Sequence, residues 1–166
     1  RSLSQDAIRK RKETFQREFL QRGVLGFGPT ATIIRRDSFE TLEGFTGIRY
    51  IGDTEMWYRL ALKYPVLKIV PGLTFWRRHK DQEITKGQDS FFYLENAYKH
   101  ELLTLKHPHL PLDDRERKMG LKKIQKRFSR NLLRLIRQGR FKTANKIRKA
   151  CGFSIVDLLK AFDFSL

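Results

Sequence analysis

The residues best placed to do chemistry lie between Gly47 and His79. Gly52-Asp53-Thr54-Glu55 leads into Met56-Trp57-Tyr58-Arg59-Leu60-Ala61, whose apolar spacing predicts a helix over about 55–63. Asp53 or Thr54 is its expected N-cap, and Pro65 stops it. A carboxylate at that end is held charged by the helix dipole and the free amides. Beside a cleft, an ionised carboxylate accepts a proton from a substrate hydroxyl. Position alone favours the simpler role of a cap. Glu55 lies two residues on and faces elsewhere, so the two acids do not form an acid/base pair of the glycosidase kind.

The same stretch ends in Phe75-Trp76-Arg77-Arg78-His79. On a strand Arg77 and His79 point the same way. Arginine and histidine at a strand end suit a phosphate or a metal-phosphate complex, and a solvated strand end is the plainer alternative. Upstream, Gly26-Phe27-Gly28-Pro29 would let backbone approach a ligand, or would simply turn the chain.

These groups need positioning elements. Residues 4–21 predict a helix with Ile8, Phe15, Phe19 and Leu20 at helical spacings. Thr30 to Arg35 is β-branched and predicts a strand, and Asp37 predicts the cap of a short helix that Gly44 ends. Val66–Val70 and Leu73–Arg77 predict two extended pieces about the Pro71-Gly72 turn. Ser90–Leu105 predicts an amphipathic helix, and His107-Pro-His-Leu-Pro111 a linker. Beyond it, Leu121, Ile124, Phe128, Leu132 and Leu135 make one stripe of a helix. Lys123, Arg127, Arg130, Arg134 and Arg137 make the opposite one. Shorter helices are expected over Phe141–Cys151 and Ile155–Phe162.

With 166 residues the chain is of single-domain size, and the linker divides it into residues 1–106 and 107–166. Lys and Arg number 35 against 18 Asp and Glu, a net charge of +17. From Arg117 to Val156 there are fourteen cations and no carboxylate. Such a surplus attracts polyanions: nucleic acid, anionic membrane or phosphorylated molecules. The single cysteine, Cys151, excludes an internal disulfide. No apolar run approaches the ~20 residues of a membrane span. The chain starts at Arg1 inside a charged helical pattern, so a fragment or processed product is expected.

The blocks G-F-G-P-T-A-T-I-I-R-R-D-S-F, L-E-G-F, G-D-T-E-M-W-Y-R-L-A-L-K-Y-P and F-W-R-R-H occur in that order. Together, over about residues 23–85, they resemble the C-terminal half of family-two glycosyltransferases, enzymes common in bacterial polysaccharide assembly. The resemblance implies an α/β, partial GT-A (Rossmann-like) domain without its N-terminal nucleotide-binding half, followed by a basic helical C-terminal region. It implies an inverting transfer from a nucleotide-sugar donor to a saccharide or lipid-linked acceptor. Asp53 would be the base. Gly52 stands where the family carries Glu, which leaves Glu55 as the second candidate.

By the same resemblance His79, with Arg77, would touch the donor diphosphate, and His79 its metal. Gly28, Pro29, Thr30 and Ala31 would form the loop beside the donor and acceptor sugars. Trp57 would be mainly core with an edge toward the acceptor. A divalent metal (Mg or Mn) would be held chiefly by an Asp-x-Asp motif that this chain lacks. The expected setting is cytoplasmic and peripheral on the inner face of the cell membrane. The rival reading is a non-catalytic basic helical module that binds anionic membrane or nucleic acid. No helix-turn-helix, RNP or zinc pattern supports the nucleic-acid version.

Overall fold

A computed structural model describes residues 4–21, 23–68 and 91–160. Helix α1 spans Gln5–Leu20 and is capped by Ser4, whose hydroxyl accepts from Ala7 N at 3.2 Å. It buries Phe15 and Phe19, while Ile8 stays 42% exposed. A 3₁₀ turn at Pro29–Ala31 is followed by α2 (Arg36–Thr41) and α3 (Gly52–Lys63). Then come α4 (Phe91–Lys106), α5 (Asp114–Arg137), α6 (Phe141–Ala150) and α7 (Ile155–Lys160).

The described residues contain no strand and no sheet, which overturns the expected α/β, Rossmann-like GT-A domain. The β-branched run Thr30–Arg35 shows why. Pro29 starts a tight turn, with Ala31 N donating to Gly28 O and Thr32 N to Pro29 O, both at 3.1 Å. From Thr32 the backbone is extended but pairs with no described strand, and Ile33 is left 94% exposed. β-propensity reports fit to a pleated, half-buried surface, and without a partner strand it makes no strand. Val66–Lys68 is likewise irregular, and the rest of the two expected extended pieces lies outside the described residues.

The core is built around α5. Helix α5 turns Ile124, Phe128, Leu132 and Leu135 inward, as its period requires, with Leu121 partly buried. Against it lie α1, α4 and α6. The Tyr98 ring stacks on Phe128 at 4.1 Å, and Phe153 meets both rings edge-on. At Gly120 a Cβ would meet Leu105 Cδ1 at 3.1 Å and Phe19 Cβ at 3.3 Å, so α5 passes close under its neighbours there.

The linker between α4 and α5 is stitched down. Leu110 and Leu112 are buried, and the Arg117 guanidinium donates to the carbonyls of Leu105, His107, Leu110 and Leu112. Asp113 and Glu116 form a reciprocal capping box that starts α5 immediately after it. One apolar core therefore runs through helices on both sides of the prolines.

Candidate functional site

Helix α3 carries the acidic residues. It starts two to three residues earlier than its polar side chains suggest: Ile51 occupies the N-cap position with no side-chain cap bond, and Gly52 is the first helical residue. Asp53 is therefore inside the first turn. Its Oδ1 accepts from its neighbour Thr54 N at 2.7 Å, so it does not cap the helix as expected. The half-buried carboxylate sits where the helix dipole favours negative charge. Asp37 behaves alike in α2: Arg35 holds the N-cap position, and Asp37 pairs with Arg35 and with Ser38 N. The Arg35 guanidinium lowers its pKa below the usual carboxylate value.

Glu55 is built differently. It is 8% exposed, and its oxygens accept from Arg59 Nε at 2.6 Å, Arg59 Nη2 at 3.1 Å and Thr46 Oγ1 at 3.1 Å. Arg59 also donates to the carbonyls of Leu42 and Gly44. The pair thus clamps the chain between α2 and α3, around left-handed Glu43 and Gly44, onto the helix. Both oxygens of this carboxylate are thus engaged within the protein itself. Sequence reasoning missed this clamp, although Glu55-x-x-x-Arg59 has the i,i+4 spacing of a helical ion pair.

Trp57 follows Asp53 by one turn on the same helix face. Its ring is buried, 5% exposed, and its Nε1 donates to Phe27 O at 2.7 Å. Phe45 packs edge-on against it at 6.2 Å. That hydrogen bond ties the Gly28–Ala31 loop to α3 within a turn of Asp53. Gly28, Pro29, Thr30 and Ala31 are all exposed. A Cβ on Gly26 would meet nothing within 4 Å, and one on Gly28 only Thr30 Oγ1 at 3.9 Å, so close packing does not demand glycine at either position. Lys68 Nζ lies over the Phe27 ring at 5.4 Å.

A second polar cluster supports this region from behind. Glu18 Oε2 accepts from Val24 N and Leu25 N at 2.6 and 2.8 Å, and its Oε1 accepts from the buried Tyr58 hydroxyl at 3.2 Å. Burial, and then Glu18, push the Tyr58 hydroxyl well above its ordinary pKa. Nearby, burial raises Glu101 while its partner Arg127 pulls it down. These groups brace α1, α3, α4 and α5 together. An open groove beside α3 is lined by Arg11, Arg59, Lys63, His107 and His109. Its arginines already donate to backbone carbonyls, those of Ala61 and Leu62 for Arg11.

His79 and Arg77, the expected diphosphate and metal contacts, lie outside the described residues. Among the described residues no three His, Cys, Asp or Glu side chains converge to hold a metal ion. No described helix is long and apolar enough to cross a membrane. No family model, no curated protein and no solved structure matches this chain.

Proposed function

We propose that this chain supplies the acceptor side of an inverting glycosyltransferase acting in cell-surface polysaccharide or glycolipid synthesis. The observation that carries this reading is the Trp57–Phe27 hydrogen bond, which joins the G-F-G-P loop to the D-T-E-M-W helix. The reading rests on that contact and on motif order, and not on a Rossmann-like sheet, which the described residues lack.

In the proposed step Asp53 takes the proton of the acceptor hydroxyl as that oxygen attacks the anomeric carbon of the donor. A carbon–oxygen bond forms on one face of the sugar while the bond to the diphosphate breaks on the other. The nucleoside diphosphate leaves with the electron pair, and Arg77 and His79 are the residues proposed to face it. Asp53 rather than Glu55 is the base, because Glu55 is already neutralised by Arg59.

The test is transfer from radiolabelled nucleotide-sugars to cell-envelope acceptors by the whole protein that carries this chain, wild type against Asp53→Asn. Removing a general base lowers the rate by about 10²–10⁴, and the melting temperature should fall by no more than about 4 °C. Undiminished transfer by the variant would take Asp53 out of the mechanism.

A further inference from the structure

The side of α5 that turns away from the core carries a second pattern. Arg115, Met119, Lys122, Lys126, Arg130, Leu133 and Arg137 follow one another at steps of three and four residues, which makes a single ridge along the helix. At 1.5 Å per residue the ridge is about 33 Å long. Arg115, Lys122, Arg130 and Arg137 are exposed, and Met119 is 51% exposed.

The ridge is free of carboxylates. The two acids of the first turn lie off it, and Glu116 is engaged by Gln16 and Lys12 of α1. The cations flanking the ridge on one side have protein partners: Lys123 donates to Gln21 O and Arg127 pairs with Glu101. Past Gly139, at the end of the ridge, Phe141 stands 62% exposed between Arg140 and Lys142.

From this arrangement we infer that the α5 ridge and the α5–α6 corner form a docking surface for an anionic lipid bilayer. The cations match a negatively charged surface along the full length of the helix. Lysine and arginine stems reach past apolar neighbours to keep their charge in the headgroups. Met119 and Phe141 are the kind of side chain that inserts among acyl chains, whereas on a nucleic-acid duplex they would face phosphate and water. The inference does not depend on the sugar-transfer reading.

The experiment is co-sedimentation with phosphatidylcholine vesicles that either lack phosphatidylglycerol or contain about one-third of it. Wild type is expected to sediment with the anionic vesicles and not with the neutral ones. Each ridge cation is worth about fivefold in affinity, so Lys122→Glu/Lys126→Glu/Arg130→Glu should lose at least about a hundredfold. Phe141→Ser should lose about tenfold and leave the salt dependence as it was. Far-ultraviolet circular dichroism verifies that both variants keep their helices. Undiminished vesicle binding by the charge-reversed variant would overturn the proposal, as would wild type that sediments with neither vesicle. Binding to a short DNA or RNA duplex in preference to anionic vesicles would assign the ridge to nucleic acid and equally overturn it.

Discussion

Replacing Glu55 by Gln separates a structural acid from a chemical one. The substitution keeps the shape of the side chain and removes its charge. It weakens the contacts at 2.6 and 3.1 Å with Arg59, and it leaves a guanidinium whose side chain is only 26% exposed without its counter-ion. Removing one partner of a fully buried pair costs about 3–5 kcal/mol. Arg59 keeps some solvent and two carbonyl acceptors, so about 2–3 kcal/mol is expected here. For a chain of this size each kcal/mol moves the midpoint by about 2–4 °C, which puts the loss near 8 °C.

Asp53→Asn, by contrast, gives up only a first-turn dipole interaction of about 0.3–1 kcal/mol. Thermal melts followed at the helix band of the circular dichroism spectrum measure both. A Glu55→Gln protein melting within about 1 °C of wild type, or an Asp53→Asn protein falling further than Glu55→Gln, would refute the division of roles between the two acids. The double variant Glu55→Gln/Arg59→Met should recover part of the loss, because the stranded charge is gone.

Other consequences can be measured on the same material. Arg117→Met removes the donors to three linker carbonyls and to that of Leu105 at the end of α4, and should cost about 2–4 kcal/mol in urea unfolding. Ser129 is 2% exposed, and among the described residues its hydroxyl finds no hydrogen-bond partner, so Ser129→Ala should stabilise by about 1 kcal/mol. Burial, and then Glu95, raise the Cys151 thiol from 9.0 to about 11. At pH 8 the folded chain should therefore react with iodoacetamide about a hundredfold more slowly than the unfolded chain. Because the folded value is the higher one, the neutral thiol's contribution to stability is fully present below pH 9 and is lost as pH rises toward about 11. Equal alkylation rates in the two states would show that Cys151 is not shielded.

Much of this protein is legible from local pattern. The period of Ile124, Phe128, Leu132 and Leu135 is enough to place α5 and its inner face, because a 24-residue amphipathic helix has only one way to bury such a stripe. Gly139 and Gly152, at φ of 73° and 61°, close their helices where the sequence says they must, since few other residues tolerate that backbone. The capping box at Asp113 and Glu116 and the burial of Trp57 are readable in the same way.

Tertiary structure alone decided the rest. Whether Thr30–Arg35 becomes a strand depends on a partner strand, which no local propensity supplies, and the described chain leaves Ile33 in solvent. Which surface cations are engaged also depends on long-range neighbours: Lys123 meets the end of α1 and the exposed Arg127 meets α4. The division between Asp53 and Glu55 has the same origin. Both acids lie in one turn of helix, and only the folding of the α2–α3 connection over Arg59 makes Glu55 a clamp and leaves Asp53 half-buried at the helix start.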